Sequence, residues 1–453
     1  MLAARTQHHA CWTLPSSPRL SRMRSPASST HRRSVIQRVA QPTVRESLPL
    51  FTTESCDEDE MADAGCQVFE DRDGDLVETM CCDYGFRTGS GRIYEVDDGA
   101  IPSSGLTLAL TNFQTELGCI RRLFRSDVVP LVSRYDAPTS PLRKVWQAVN
   151  GKLVQGVSAL DKGLETLHIL PKLEAAEPME GEYDPATGEM SRECVEIRAK
   201  LARLTLSNDA VWERETARER AGGGVETPWV VRGVYLALCV FLDKFFEDRP
   251  IPRFWFLETV ARMPYFSYIS CLHFYESLGW WRAGAELRKI HFAEEWNELH
   301  HLQIMESLGG DQSWGDRFFA LHSSIVYYWI LVLLFVYSPA LAYQFSELIE
   351  AHAVDTYGEF ADANAQLLST IPPPLVALQY YRSPDLYMFD EFQTAGRPAG
   401  AGPRTPRTKS LYDVFINIRD DEGEHVKTMN ACQDTAESVG EHLTERREKP
   451  RRI

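Results

Sequence analysis

The chain contains no C-x-x-C pair and no zinc-like doublet of cysteine doublets; its ten cysteines are scattered, and only Cys81 and Cys82 lie close together. Structural thiols are therefore expected, in a compartment that does not need disulfides. The first 45 residues hold no acidic residue and no lysine, yet they carry eight arginines, and they lack the long apolar core of a secretory signal. Ser- and Arg-rich sequence of this kind has the composition of an organelle transit peptide. From Glu46 onward the sign reverses. The whole chain of 453 residues has a formal charge of −16, so the part after residue 45 carries −16 − 8 = −24. In so acidic a chain the Lys and Arg that would meet phosphates are outnumbered, which argues against nucleic acid as a partner. Calcium is excluded at "DRDGDLVETMCC", where Gly74 has the wrong offset and Cys82 stands where the closing glutamate should be.

What is present is a globular composition, 44% hydrophobic and 25% charged. The run Asp57-Glu58-Asp59-Glu60 reads as a solvated linker after a cleavage region. Residues 46–224 form an acidic extension to which no role is assigned. Within it, Leu153, Val157, Leu160, Leu164 and Leu167 predict an amphipathic helix over 153–170, with Glu165 and His168 beside it as a surface pair. "AGGGVETP" (221–228) is a break. Beyond it the pattern is helical to about residue 440, and residues 441–453 are a basic tail. Predicted helices include 228–246, one containing Glu258, one over 285–308 stopped by Gly309-Gly310, and one containing Glu350 that ends at Pro372-Pro373-Pro374. A Gly/Pro-rich loop over 395–408 precedes the last helix, which opens on a capping box at Ser410-x-x-Asp413.

Three of the 12 histidines have a glutamate three positions earlier, at Glu165–His168, Glu298–His301 and Glu422–His425. That spacing puts both side chains on one helix face. Any single pair is weak evidence, but the order along the chain is not. Glu258, Glu298, Glu350 and Glu422 interrupt apolar faces of four long helices, and two of these helices add His301 and His425. One Glu from each of two helices plus Glu-x-x-His from two others is the inventory of a di-iron carboxylate bundle. Two ferrous ions would balance the four carboxylates, and hard oxygen ligands with imidazole suit iron or manganese. His300 points about 100° away from His301 around the helix and reads as a surface or supporting residue. His273 and His291 read as satisfied core histidines, and His352 as facing away from the metals. Glu294, Glu295 and Glu347 read as solvated helix charges.

At these residues the sequence resembles the alternative oxidases, and specifically their plastid branch, the plastoquinol oxidases. The resemblance covers roughly residues 225–440. It rests on "RFWFLETVARMPYFSYIS", "AEEWNELHHL", "SELIEAHAVDTY", "LYMFDEFQTA" and "SLYDVFINIRDDEGEHVKTM". The family's metal ligands fall on Glu258, Glu298, His301, Glu350, Glu422 and His425. The resemblance further implies that Asn297 and Asp421 orient ligand histidines, that Tyr357 is redox-relevant, and that Arg253, Leu257 and Thr356 line a quinol pocket. Where the mitochondrial branch has a run of three glutamates, this chain reads Glu350-Ala351-His352, and a long loop precedes the last helix. Both departures favour plastoquinol over ubiquinol.

The expected fold is all-α: a ferritin-like four-helix bundle with a di-iron centre and additional membrane-surface helices. The expected cofactor is two iron ions, and the expected substrates are plastoquinol and dioxygen. A homodimer on one face of a plastid thylakoid membrane is implied. Phe318–Phe345 is apolar enough to suggest a span. It lies, however, between the two halves of the ligand set, so it must return to the same side, with Pro339 marking the turn. The alternatives are a mitochondrial-type ubiquinol oxidase, a soluble di-iron desaturase or peroxidase, and a ferritin-like iron-binding protein.

Overall fold

A computed structural model describes residues 68–70, 76–80, 103–125, 156–173, 191–281, 285–382 and 406–448. The transit peptide, the Asp57–Glu60 run, Cys81-Cys82, most of the rejected calcium loop, the "LYMFDEFQTA" motif and most of the 395–408 loop lie outside the described residues. Two short strands, β1 (Val68–Glu70) and β2 (Leu76–Glu78), pair antiparallel, and everything else regular among the described residues is helical.

The elements before the bundle are α1 (Gly105–Phe124), α2 (residues 156–166), α3 (Arg192–Leu201) and α4 (Asn208–Arg218). There follow α5 (Trp229–Phe245), α6 (Pro250–Ser277), α7 (Ala285–Ser307), α8 (Trp314–Tyr337) and α9 (Pro339–Ala363). The chain closes with α10 (Ala365–Leu368), α11 (Leu375–Arg382) and α12 (Leu411–Glu448). Helix α9 packs most extensively on α12, and α6 packs on both α7 and α8. Helices α6, α7, α9 and α12 are the four that carry the carboxylates.

Local chemistry explains the boundaries. Helix α7 ends with Gly309 at φ 83°, while the Gly309 N–H donates to the Glu306 carbonyl and the Gly310 N–H to that of Met305. This is the left-handed stop that glycine provides. Ser338 alone separates α8 from α9, its hydroxyl capping Leu341 N with Pro339 at the first helical position. At α12 the capping box is reciprocal, because Ser410 Oγ accepts from Asp413 N and Asp413 Oδ2 accepts from Ser410 N. One stop differs from expectation. Helix α9 ends at Ala363 with Asn364 as its cap, well before the three prolines, because the Asn364 side chain exchanges hydrogen bonds with the Thr205 backbone.

The acidic extension is not a separate appendage. Met80, Cys194, Ile197 and Leu204 belong to the same buried cluster as Phe254, Tyr357 and Phe415. The stripe expected over 153–170 is not buried, since Leu160 and Leu167 are exposed. Glu165 instead faces Arg121 and Arg125 on α1, and exposed His168 follows the helix end at φ 59°. The expectation of thiols holds for Cys119, Cys239, Cys271 and Cys432, whereas Cys194 is disulfide-bonded. The tail expected from 441 begins as the last turns of α12.

Candidate metal centre

Each of the four carboxylate helices contributes one glutamate to a single buried point. Glu258 (α6), Glu298 (α7), His301 (α7) and Glu422 (α12) form one group, and Glu298, Glu350 (α9), Glu422 and His425 (α12) form another. Within each group the ligand atoms lie within 4.8 Å of one another. Glu298 and Glu422 belong to both groups. Each group is thus one private glutamate, one histidine and two shared carboxylates. All six side chains are at most 3% exposed.

The distances are those of a centre built to be bridged. His301 Nδ1 stands 3.1 Å from Glu422 Oε1, 3.8 Å from Glu258 Oε2 and 3.9 Å from Glu298 Oε2. His425 Nδ1 stands 2.8 Å from Glu298 Oε1, 3.6 Å from Glu422 Oε2 and 4.0 Å from Glu350 Oε2. Burial, and then Glu298 and Glu422, push the Glu258 carboxyl well above its ordinary range; burial, Glu422 and Glu298 do the same to Glu350. Burial alone would also raise Glu422, but His301 and His425 hold it down at about 2. His301 is raised to about 9, because Asp421 and Glu422 outweigh the burial that opposes its charge. Four acids packed this closely in a low-dielectric core need cations between them.

The donor set fits two metal ions. Glu258 Oε2 and Glu298 Oε2 are buried with no hydrogen-bond partner. A buried carboxylate oxygen left without a donor is costly in a native protein unless a cation takes the place of the donor. Oxygen-rich, imidazole-containing sets of four suit iron or manganese.

Of the residues expected around the ligands, Asp421 and Tyr357 bond to the centre and Asn297 reaches it through Asp421. Asp421 Oδ2 is 3.2 Å from His301 Nε2 and accepts from Tyr381 Oη at 3.0 Å. Asn297 donates to Asp421 Oδ2 at 3.1 Å and to Tyr380 Oη at 2.6 Å, so it reaches His301 through Asp421. Tyr357 donates its O–H to Glu258 Oε1 and stacks on Phe254 at 4.3 Å between centroids. Arg253, 2% exposed, pairs with Asp243 at 2.9 Å and donates to Asn208 Oδ1 at 2.6 Å, while its Nε and Nη2 have no partner. Leu257 is half-buried against the core. The Thr356 hydroxyl is used within α9, donating to the His352 carbonyl at 2.8 Å.

The remaining histidines and glutamates sort by partner. His300 stacks on Tyr380 at 4.1 Å and does not join either ligand group. His352 faces away, with Nδ1 against Glu215 at 2.9 Å and Tyr235 at 3.1 Å. His291 is a buried core histidine whose Nε2 meets Tyr343 Oη at 2.9 Å. His273 is not a core residue; it is exposed beside Arg288. The reading of solvated glutamates fails for two of three. Glu294 is buried against His291, and buried Glu347 accepts from Asn430 and Gln433. Glu295 is half-buried and pairs with Arg262.

Three groups at the site were not singled out in the sequence. Tyr265 donates to Glu350 Oε1 at 2.7 Å, and Tyr380 and Tyr381 of α11 hold Asn297 and Asp421. Tyr265 had a readable signal, since it stands seven residues after Glu258 as Tyr357 stands seven after Glu350.

Comparison with known proteins agrees with this geometry. Residues 230–434 match the family model described as alternative oxidase. The ubiquinol oxidase 4 of Arabidopsis thaliana, described as chloroplastic/chromoplastic, is 53% identical over 192 residues, covering 42% of this chain and 54% of that protein. The mitochondrial ubiquinol oxidase of Mangifera indica is 28% identical over 190 residues, covering 40% of this chain and 50% of that protein. Mitochondrial ubiquinol oxidase 2 of Glycine max is likewise 28% identical over 190 residues, covering 40% and 48%. The chain thus spans about half the length of the curated relatives it matches. All six buried candidate ligands, on four helices, lie within residues 230–434, the part of the chain that is similar to the alternative oxidase family.

Proposed function

We propose that this protein is a quinol:oxygen oxidoreductase that oxidises two membrane quinols, plastoquinol in the plastid, and reduces one dioxygen to two waters. The observation that carries the reading is the pair of four-ligand groups sharing Glu298 and Glu422. Two shared carboxylates could hold two metal ions side by side, the ligand arrangement of the di-iron carboxylate bundles, and such a pair would supply one-electron and dioxygen chemistry. Iron, when bound by Glu258, Glu298, His301, Glu350, Glu422 and His425, supplies that redox chemistry. The chain's own residues do the rest. Asp421 holds His301 by its Nε2, so that Nδ1 is the atom that would bind a metal ion. Tyr357 keeps a phenolic proton beside the centre at Glu258 Oε1. Arg253, buried on α6 with Nε and Nη2 unpartnered, would engage a quinol oxygen, with Leu257 and Thr356 lining the same pocket. The aromatic packing of Phe254, Phe360 and Phe415 around Tyr357 keeps bulk water out.

Quinol is a membrane substrate, and the surface provides a place to meet it. Helix α8 is the one helix among the described residues long and apolar enough to cross a bilayer. Crossing would separate Glu258 and Glu298, which precede it, from Glu350 and Glu422, which follow it. It instead lies along the bundle. Ala320, Ser324, Leu331 and Phe335 face inward, and Ile325, Trp329, Leu333 and Val336 face outward. Helix α5 does likewise, with Tyr235 and Cys239 inward and Trp229, Val230 and Val234 outward. Phe319 of α8 stacks on Phe245 of α5 at 5.3 Å, which makes the two outward faces continuous. An apolar surface of this extent on one side of a soluble bundle suits monotopic attachment to one leaflet.

The plastid branch is supported by the higher identity to the chloroplastic/chromoplastic relative than to the mitochondrial ones. With it we propose cleavage of residues 1 to about 45 as a transit peptide, a thylakoid location and a homodimer. The direct test is oxygen uptake by the purified, iron-loaded protein on adding reduced plastoquinone or ubiquinone analogues. Uptake with a preference for plastoquinol is expected. Iron binding without quinol-dependent uptake would overturn the reading in favour of an iron-binding or different di-iron protein.

A further inference from the structure

Helices α6 and α9 exchange tyrosines across the centre. Tyr265 of α6 is 0% exposed and donates its O–H to Glu350 Oε1 of α9 at 2.7 Å. Tyr357 of α9 donates to Glu258 Oε1 of α6. In both carboxylates Oε1 is therefore engaged by a phenol, while Oε2 faces the imidazole of its own ligand group. Glu258 Oε2 is 3.8 Å from His301 Nδ1, and Glu350 Oε2 is 4.0 Å from His425 Nδ1. The Tyr265 ring also meets the His425 ring edge-on, with centroids 5.5 Å apart and planes at 63°. It thus constrains both ligands that belong to one group alone.

The surroundings of Tyr265 leave that phenol no other task. It packs in a buried cluster with Tyr268, Cys271 and Tyr343. Within that cluster Tyr268 bonds to the Ala342 carbonyl at 2.9 Å and Ser346 Oγ at 2.6 Å, and Tyr343 bonds to His291. Each buried phenol there has its own acceptor, and that of Tyr265 is the carboxylate of Glu350.

We propose that Tyr265 is a positioning residue for Glu350, fixing it as a one-oxygen metal ligand, as Tyr357 does for Glu258 on the other side. The proposal rests on the two-metal reading of the site. A carboxylate whose second oxygen is tied to a donor presents one lone-pair set in a fixed direction, and loss of such a partner typically weakens metal affinity about 10–100-fold. The effect should be confined to one of the two positions, since Glu258, His301 and Tyr357 are untouched.

The test uses the full-length protein loaded with iron-57 and read by Mössbauer spectroscopy and by iron titration. Wild type should hold two irons. Tyr265→Phe should alter one of the two iron signals and weaken one binding step, leaving the other in place, while Tyr357→Phe should alter the complementary signal. Tyr268→Phe removes the same atom from the same cluster without touching Glu350, and it should change neither signal. Equal disturbance by Tyr265→Phe and Tyr268→Phe would reduce the role to packing and overturn the proposal, as would an unchanged spectrum in Tyr265→Phe. Should Tyr265→Phe fail to fold, difluorotyrosine at 265 keeps the ring and the O–H with altered acidity. The same one-signal change is then expected, and its absence is equally fatal. A wild type that binds fewer than two irons would instead sink the two-metal reading itself.

Discussion

Glu298 serves both ligand groups and Glu258 only one, so their removal should have different consequences for the stability that iron confers. An ion at a free concentration of 100 Kd stabilises the folded state by about 2.7 kcal/mol, because the unfolded chain does not assemble the site. Each kcal/mol moves the melting temperature of a domain of this size by about 2–4 °C, so one ion is worth about 5–11 °C and two about twice that. Wild type should therefore melt about 11–22 °C higher with iron than after chelation. Glu258→Ala strips a ligand from one group and should keep roughly half of that increment. Glu298→Ala strips a ligand from both and should keep almost none. Comparing each variant with and without iron cancels the packing loss common to both states, which a simple melting temperature would confuse with metal loss. Calorimetry on the detergent-solubilised full chain, with iron content measured in parallel, makes the comparison. An increment for Glu298→Ala equal to that for Glu258→Ala would refute the shared role of Glu298.

Other consequences follow from the same structure. A Cβ added at Gly310 would sit 2.4 Å from Trp255 Cβ and 3.1 Å from the Ile251 carbonyl, so Gly310→Ala should destabilise by about 1–3 kcal/mol, seen as a lower melting temperature with iron stoichiometry unchanged. Burial alone would raise the Asp161 carboxyl, but Arg121 and Arg125 hold it below its usual 3.8. The stability it contributes is then present above pH 3.8 and lost as pH falls through the lower native value; hydrogen exchange in α1 should accelerate on that acid limb and not between pH 6 and 9, and Asp161→Asn should weaken the dependence, leaving the part due to Glu165, which Arg125 also holds down. Ile325→Glu with Leu333→Glu places two charges on the outward face of α8 and should move the protein from membrane to soluble fractions with iron still bound. Retention on membranes by that double variant would count against monotopic attachment through α8.

Much of the architecture was legible because it depends on local spacing. Gly309, Pro339 and the Ser410–Asp413 box act on the residues within one turn of themselves, so the ends of α7 and α8 and the start of α12 could be placed from the sequence. The end of α9 could not. It is set by Asn364 bonding to Thr205, 159 positions away, and no local pattern announces such a partner. The same holds for the helix expected over 153–170. Its leucine spacing is genuine, but the energetics come from Arg121 and Arg125 meeting Asp161 and Glu165, not from a buried stripe. The polar composition of α4 likewise hides what it contributes to the bundle, namely Asn208 to Arg253, Trp212 to Asp243 and Glu215 to His352.

The centre itself divides along the same line. A Glu-x-x-His pair is a same-helix relation, fixed by the α-helical repeat whatever the tertiary structure, so Glu298–His301 and Glu422–His425 could be read directly. Which carboxylates are shared, and which oxygens are left for metal, are relations between helices. They depend on register and crossing, so they are invisible until α6, α7, α9 and α12 are set against one another. That is why Tyr265, at the same seven-residue interval from a candidate ligand as Tyr357, does not stand out in "RMPYFSYIS". The interval places Tyr265 and Glu258 on roughly the same face of α6, and Tyr357 and Glu350 on roughly the same face of α9. Two helices that face one centre from opposite sides with that pattern bring each tyrosine to the other's glutamate. The repeated interval is thus a readable sign of reciprocal bonding, provided both helices are already known to face one centre. Spacing picks out the candidate ligands, and only the packing of the helices tells which donor holds which carboxylate oxygen.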